Sequence, residues 1–364
     1  MINLEKVVKL AGDYNVPVED VLFVALNIYG VNFQCNYNRM RMGLSTIDKN
    51  IFNYSHNIGV KNFYFALPIN QNSPFSIIGS QLLFDGRVIA DAINPSEDFC
   101  DSNYPRRNGT VLNINPNSRT SCRGCKFCYT GYQIPRDQKR MACEADIVEF
   151  FEDWMQSSGI NNLESLIQVA VVTGCYNSND DLSNFLLTLK KVLNHYKFNG
   201  EIFYLGSQIT NKETLEKLVS IQPFCYCLSL ECFENRDFLL RDKKGDLTIE
   251  QAFNLMSFAK RLGHRVNFSY VLGLEPLLTV EKYFLLSKQY INSFPIVNTL
   301  QIHKYHSVSL LTPEAVNIEY FFEARKKIET IFLDTDMRPR EWENYRSLWF
   351  LKFENEVLKE IRTP

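Results

Sequence analysis

Several features that would tie the chain to a compartment or a macromolecular partner are missing from its 364 residues. No apolar run approaches the ~20 residues of a membrane-spanning helix. The net charge of −2 gives no general attraction to nucleic acid or anionic membranes. The start, Met1–Glu5, lacks the basic region and apolar core of a secretory signal. We therefore expect a globular cytoplasmic protein without a nucleic-acid or membrane partner.

The ten cysteines do not form the usual patterns of a disulfide framework or a zinc ribbon. Three of them, Cys122, Cys125 and Cys128, lie close together, but three thiols cannot all pair among themselves. A structural zinc site needs a fourth ligand, and the nearest spare thiol, Cys143, falls in a predicted helix. A ferredoxin motif would continue to a fourth cysteine followed by proline. Three thiolates without a fourth suit a metal centre with one open position, although zinc, another iron–sulfur role or no metal remain alternatives.

The residue before the last of these cysteines is aromatic. The run Cys125-Lys126-Phe127-Cys128 fits the second half of the motif C-x-x-x-C-x-aromatic-C, and the chain resembles the radical S-adenosylmethionine (radical SAM) superfamily. Its first gap is one residue shorter than usual, and Gly124 permits a tighter turn. The resemblance implies that the three cysteines hold a [4Fe-4S] cluster, with SAM on the fourth iron. It also implies a flavodoxin or ferredoxin as electron donor and a 5′-deoxyadenosyl radical as product of SAM cleavage.

Residues 110–312 alternate between predicted strands and helices. Six βα units in series predict a parallel sheet with helices outside, and the cysteine loop follows the first strand, where barrel enzymes carry their chemistry. The fold class is therefore α/β, a partial (β/α)6 TIM-like barrel with an N-terminal α+β segment and a C-terminal helical extension. The predicted strands are Val111–Ile114, Leu166–Val172, Glu201–Leu205, Cys225–Leu230, Arg265–Leu272 and Asn298–Lys304. The predicted helices are Cys143–Gln156, Asp180–His195, Asn211–Ile221, Thr248–Arg261, Thr279–Ile291 and Pro313–Ile331.

Two further segments flank the predicted barrel. Residues 1–109 show a helix at Val16–Ile28, a strand at Asn62–Leu67 and a hairpin over Ile77–Ile93 around Asp85-Gly86, a favoured turn pair. This segment carries no motif for SAM, and we expect it to bind substrate or a partner. Residues 313–364 are expected to form the helical extension.

The resemblance implies further cofactor contacts at the ends of the predicted strands. Thr173 and Gly174 follow strand two, where the family holds the SAM ammonium group; the alternative is a plain loop. Strand four ends in a polar residue and a carboxylate, and strand five ends in a glycine that would approach the adenine; the alternatives are a surface basic cluster and an ordinary strand end. The implied cofactor-binding residues are Phe127, Thr173, Gly174, Ser229, Glu231, Arg241 and Gly273.

Glu231 carries a requirement of its own. A carboxylate on a strand that lines a barrel is costly when buried without a partner. The nearby cations that could pair with it are Arg236, Arg241, Lys243 and Lys244. A partner for Glu231 is therefore expected among them.

Strand six ends in side chains that could face a substrate. His303, Tyr305 and His306 are the candidate catalytic residues, although a lone histidine is more often structural. Cys225, Cys227 and Cys232 are interpreted as core residues, with a second cluster as the alternative. No cysteine follows Cys232, which argues against a cysteine-rich extension for auxiliary clusters, and no D-x-H-x-x-G cobalamin signature is present.

The resemblance implies an enzyme that abstracts hydrogen from a small molecule or a peptide, such as a natural-product, cofactor or peptide precursor. Radical SAM methylation or peptide modification is the alternative within the family. A non-catalytic iron–sulfur or zinc protein is the alternative of another class.

Overall fold

The computed structural model describes residues 2–118, 125–133, 141–240, 243–301, 308–344 and 346–358, with the backbone alone at 131, 132, 243 and 308. The described contacts divide the chain into two compact units. The first unit comprises residues 1–99, 270–288 and 294–364, and the second comprises residues 100–269 and 289–293. The three-part division at residues 109 and 312 stays a prediction about folding domains.

The N-terminal part of the first unit is α+β, as expected. Three helices accompany a five-stranded antiparallel sheet of order β2-β1-β5-β4-β3. The predicted hairpin joins β4 to β5 through Asp85 and Gly86, whose φ angles of 52° and 72° are those of a primed turn. The elements are α1 (Leu4–Tyr14), α2 (Val18–Tyr29), β1 (Arg39–Thr46), α3 (Asn53–Asn57), β2 (Asn62–Pro68), β3 (Phe75–Ile78), β4 (Gln81–Phe84) and β5 (Arg87–Glu97).

A seven-stranded sheet follows, in which six strands lie side by side in chain order after an antiparallel first strand. The registers of β7 with β8, β8 with β9 and β9 with β10 are parallel. The strands are β6 (Tyr104–Arg106), β7 (Val111–Ile114), β8 (Gln168–Val172), β9 (Glu201–Gly206), β10 (Phe224–Glu231), β11 (Arg265–Leu272) and β12 (Ile296–Thr299). Sequential order with a helical crossover after each strand is the arrangement of a partial TIM-like barrel, so the predicted fold class is confirmed.

The crossover helices begin at residues suited to capping. Ser178, Asn211 and Thr248 each accept a hydrogen bond from a backbone amide of the first helical turn. The helices are α4 (Glu144–Ser158), α5 (Asn179–His195), α6 (Lys212–Lys217), α7 (Arg236–Leu239), α8 (Lys243–Asp246), α9 (Ile249–Arg261), α10 (Leu277–Ser287) and α11 (Glu319–Phe332). None of the described helices is both long and apolar enough to cross a bilayer.

Several predicted elements differ from the structure. The helix predicted at Pro313–Ile331 is a 3-10 turn at Pro313–Val316 followed by α11 from Glu319, and the helix predicted at Asn211–Ile221 is α6 followed by a 3-10 turn at Leu218–Ile221. The sixth barrel strand was predicted at Asn298–Lys304, but β12 ends at Thr299, and Gln301 turns its side chain to Arg39 and to the carbonyl of Ala66. The C-terminal extension contains α11 and also a small hairpin of β13 (Lys352–Phe353) and β14 (Glu356–Val357), which was not predicted. Strands of two residues are too short to give a sequence pattern.

Candidate functional site

The cysteine loop begins directly after β7, at the carboxyl edge of the sheet. Cys125 and Cys128 are described, whereas Cys122 lies outside the described residues. The amide of Cys128 donates to the carbonyl of Cys125 (2.9 Å), which closes a tight turn around Lys126 and Phe127. Cys125 and Phe127 are buried and Cys128 is half-buried. The Cys128 thiol donates to Thr130 Oγ1 (3.1 Å), a hydroxyl that can donate in turn to a thiolate.

This turn is fastened at its centre to the segment that follows β10. The amide of Lys126 donates to the carbonyl of Leu239 (2.9 Å), the last residue of α7. The Lys126 ammonium lies 3.1 Å from the centre of the Phe238 ring, within the range of a cation–π contact. The cysteine loop and α7, the short helix that follows the fourth barrel strand, are therefore joined by backbone as well as by side chain.

Thr173 and Gly174 contact the segment that leads into the cysteine loop. Thr173 Oγ1 accepts from the amide of Asn117 (3.1 Å), and the amide of Gly174 donates to the Asn117 carbonyl (2.9 Å). A Cβ at Gly174 would overlap the carbonyl oxygen of Ser118. The glycine thus has a local reason, a close backbone approach, in addition to its predicted role toward SAM.

Ser229, Glu231 and Lys244 form a polar cluster at the end of β10. Glu231 Oε1 accepts from the Ser229 hydroxyl (2.5 Å) and from the Lys244 ammonium (2.9 Å). The Lys244 ammonium also donates to Ser229 Oγ (3.2 Å), and Ser269 Oγ on β11 lies 3.4 Å from Ser229 Oγ. The side chains of Glu231 and Lys244 are 13% and 19% exposed, so the pair is largely withdrawn from water. The expected partner of Glu231 is Lys244.

Of the other candidate cations, Arg236 has a different role. Its guanidinium donates to the carbonyls of Leu230, Cys232, Lys244 and Leu247 at 2.6–3.1 Å. Arg241 and the side chain of Lys243 lie outside the described residues.

Gly273 follows β11 and belongs to the first unit. Its φ of 116° is one that glycine adopts readily, and its carbonyl accepts from the amide of Thr312 (2.8 Å). A Cβ there would lie 3.1 Å from Leu300 Cβ and 3.3 Å from Leu311 Cδ2. Neighbouring side chains and the backbone conformation therefore explain why glycine is required here. The predicted approach to adenine stays a prediction.

The remaining predicted residues divide into two groups. Cys225, Cys227 and Cys232 are fully buried, as expected of core residues. Among the described residues, no group of three histidine, cysteine or acidic side chains could hold a metal ion. Four predicted residues in addition to Arg241 lie outside the described ranges: Cys122, His303, Tyr305 and His306.

Sequence reasoning missed two residues that shape this edge of the sheet. Asn117 bonds the loop after β8 through its backbone and donates from Nδ2 to the carbonyl of Cys175 (2.6 Å). Arg236 was considered only as a partner for Glu231. Neither role has a sequence signal, because both consist of bonds to backbone groups that the fold brings together.

No family model and no curated protein matches this sequence. Among solved structures, SuiB of Streptococcus suis bound to S-adenosylmethionine matches at 15% identity and a TM-score of 0.40, over 57% of this chain and 43% of SuiB. The FeFe-hydrogenase maturase HydG of Carboxydothermus hydrogenoformans matches at 14% identity and a TM-score of 0.41, over 62% and 51%. The radical S-adenosylmethionine methyltransferase TsrM of Kitasatospora setae, with tryptophan and a SAM analogue, matches at 13% identity and a TM-score of 0.38, over 55% and 38%. The matches span about half or less of these solved chains.

Proposed function

We propose that the chain is a radical SAM enzyme whose [4Fe-4S] cluster is held by Cys122, Cys125 and Cys128. The observation that carries the proposal is the place of the turn from Cys125 to Cys128. It follows the first of six sequential strands and bonds the segment after the fourth, at the carboxyl edge where barrel enzymes build their sites.

The residues present fit such a cluster. A backbone bond closes the turn from Cys125 to Cys128, and the Cys128 thiol is bonded to a hydroxyl that can stabilise a thiolate. Three thiolates from one short loop leave one coordination position for a cofactor. When bound and reduced, the cluster would supply the electron that cleaves SAM to methionine and a 5′-deoxyadenosyl radical.

The polar cluster at the end of β10 is the proposed SAM-binding element. SAM carries an ammonium group, a carboxylate and ribose hydroxyls, and Ser229, Glu231 and Lys244 offer a hydroxyl, an anion and a cation for them. Lys244 balances the charge of Glu231 in the absence of a cofactor. Phe127, Thr173, Gly174, Arg241 and Gly273 are proposed to contribute further contacts.

The substrate is proposed to be a small molecule or a peptide from which hydrogen is abstracted. His303, Tyr305 and His306 would contact it, and a flavodoxin or ferredoxin would deliver the electron. Methylation and peptide modification are reactions of this class that the same site could support. A cytoplasmic location is part of the proposal.

Anaerobic reconstitution with iron and sulfide tests the proposal. We expect about four irons per chain and, with dithionite and SAM, formation of 5′-deoxyadenosine and methionine. Replacement of Cys122, Cys125 and Cys128 together by alanine should abolish both. Four irons retained in that variant would show that these cysteines are not the site. Stoichiometric zinc in protein purified without oxygen would favour a non-catalytic metal protein.

A further inference from the structure

The buried side chain of Arg236 lies between two parts of the proposed site. These parts are the turn from Cys125 to Cys128 and the polar cluster of Ser229, Glu231 and Lys244. Arg236 is 8% exposed and begins α7, five residues after Glu231. Its Nη1 donates to the carbonyls of Leu230 (2.8 Å) and Cys232 (2.6 Å), which flank Glu231 on either side. The guanidinium thus holds the backbone immediately around the carboxylate of the polar cluster.

The same guanidinium also bonds the backbone of α8 and of the residue that follows it. Nη2 donates to the carbonyl of Lys244 (2.9 Å) and Nε to that of Leu247 (3.1 Å). Lys244 is the residue whose ammonium bonds Glu231 and Ser229. Arg236 therefore fixes the backbone of both members of the ion pair, which are thirteen residues apart in the chain.

The third connection leads to the cysteine turn. Arg236 opens the short helix α7, and the last residue of that helix, Leu239, accepts the amide of Lys126 between Cys125 and Cys128. A four-residue helix has little stability of its own, so its placement depends on tertiary bonds. The bonds of Arg236 to the backbone carbonyls before and after α7 are such tertiary bonds.

We propose that Arg236 is a positioning residue that fixes the position of the cysteine turn relative to the Glu231–Lys244 pair. The proposal rests on the proposed function, since it assigns Arg236 a part in SAM binding. The planar fork of arginine suits this task, because its donors point in fixed directions at several acceptors. Lysine keeps the charge but offers only a point ammonium, which cannot reproduce four bonds to separate carbonyls.

The test compares Arg236→Lys with Arg265→Lys as a matched control. Arg265 also belongs to the second unit and is half-buried; its guanidinium forms two bonds to Glu201 (2.7 and 2.8 Å) and one to Ser293 (3.0 Å). It lies at the amino edge of the sheet, and the eight residues of β10 separate the two edges by roughly 23 Å. A loss of general stability should therefore affect the two variants alike.

Two readouts are measured on the reconstituted full chain. Hydrogen exchange over residues 125–133 reports on the cysteine turn, and the change in the electron paramagnetic resonance spectrum of the reduced cluster on titration with SAM reports on the cofactor. We expect Arg236→Lys to exchange faster in this segment and to bind SAM at least tenfold more weakly, with about four irons retained. Arg265→Lys should resemble the wild type in both.

Equal behaviour of the two variants would overturn the proposal and leave Arg236 a structural residue only. Phe238→Ala is a second variant that should fold, because Phe238 is 58% exposed. It removes the ring contact but not the Leu239 carbonyl, so a normal SAM response supports the proposal and a lost one overturns it. A wild-type chain with a full cluster but no SAM response would overturn the proposed function and this inference together. A wild-type response that Arg236→Lys leaves intact would overturn the inference alone.

Discussion

At the scale of single residues, Glu231 combines two costs. Its φ of 67° lies in the left-handed region, which costs a residue with a side chain roughly 1–2 kcal/mol. Its carboxylate is also largely buried, which is unfavourable without partners. The Ser229 hydroxyl and the Lys244 ammonium offset the cost of burying the carboxylate. The bonds of Arg236 to the flanking carbonyls hold the backbone of Glu231 in its left-handed conformation. A strained and neutralised carboxylate of this kind is typical of a residue kept for binding.

Glu231→Gln should weaken SAM binding without loss of iron, because it removes a charge from the cofactor side of the site and not a cluster ligand. A charge-assisted hydrogen bond is worth about 1.5–3 kcal/mol, so we expect the Kd for SAM to rise about tenfold or more. Calorimetry on anaerobically reconstituted protein measures it. Glu234→Gln, an exposed carboxylate three residues further along, is the control. Unchanged affinity in Glu231→Gln would remove Glu231 from the site.

The sequence predicted that the Glu231 carboxylate requires a cationic partner, but it did not predict which residue that partner is. Burial at a strand end requires a cation, and four cations follow within thirteen residues. The fold separates two of them, because Arg236 bonds backbone carbonyls and Lys244 bonds the carboxylate, whereas the side chains of Arg241 and Lys243 lie outside the described residues. The choice depends on the path of the loop, and charge patterning does not encode that path.

At the scale of elements, the loops after β7 and β8 approach closely enough to require glycine at position 174. The Cβ of any other residue would overlap the carbonyl of Ser118, in the segment that leads into the cysteine loop. Gly174 therefore constrains the backbone at Ser118, which precedes the cysteine loop in the sequence.

Gly174→Ala should force the backbone at Ser118 to shift, and we expect it to lower the free energy of unfolding by about 1–3 kcal/mol. The reconstituted iron content should fall as well, since the cysteine loop continues from that segment. Thermal unfolding and iron analysis measure the two effects. Gly12→Ala is the control, because no atom lies within 4 Å of its Cβ position and alanine favours a helix. Wild-type stability and iron in Gly174→Ala would show that the close approach is dispensable.

The bounds of β7 and β11 could be predicted from their own residues, whereas the end of β12 could not. β7 and β11 have the predicted bounds, Val111–Ile114 and Arg265–Leu272, because apolar, β-branched residues between turn signals define them. The sixth strand ends at Thr299, and the side chain of Gln301 beyond it bonds Arg39 and the Ala66 carbonyl; residues 302–304 of the predicted strand lie outside the described residues. Partners more than 200 residues away leave no local trace in the sequence.

At the scale of the whole molecule, buried charges stabilise the first unit. Asp98 is 2% exposed and accepts from Arg39 Nε (3.0 Å) and Arg41 Nε (2.5 Å). Burial alone would raise the pKa of the Asp98 carboxyl, but the guanidinium groups of Arg41 and Arg39 outweigh it and hold that pKa below its usual range. Asp98 therefore contributes stability above its unfolded pKa of about 4, and that contribution is lost as the pH falls toward the folded pKa.

Asp98→Asn should lower the free energy of unfolding at pH 7 by about 3–5 kcal/mol, because it removes the carboxylate that the buried guanidinium of Arg39 and the largely buried one of Arg41 share. The difference from the wild type should shrink as the pH falls below about 4, where the unfolded state of the wild type binds a proton at this carboxyl that the native state does not yet bind. Urea unfolding between pH 7 and pH 3 measures this. Asp85→Asn, at the exposed hairpin turn, is the control and should leave the free energy of unfolding at pH 7 close to that of the wild type. A difference for Asp98→Asn that stays constant with pH would contradict the assignment.

The first unit also links the N-terminal segment to Gln301, which precedes the predicted substrate residues in the sequence. Gln301 lies two positions before His303, and its side chain bonds Arg39, the Ala66 carbonyl and Asn27 Oδ1. Gln301 itself is thus anchored on the N-terminal segment. The proposed role of residues 1–109 is in substrate binding and not in SAM cleavage.

Changes on the exposed face of that segment should therefore separate the two activities. Ile47 and Ile78 are 44% and 66% exposed, so serine there should leave folding intact. We expect Ile47→Ser and Ile78→Ser to reduce product formation on the cognate substrate several-fold, while dithionite-driven, substrate-free formation of 5′-deoxyadenosine continues at the wild-type rate. Val219→Ser, a 40% exposed position in the second unit, should leave both rates unchanged. If the segment instead contributes to the SAM site, the two variants will lose SAM cleavage while the cluster signal stays normal, and this division of labour is then wrong.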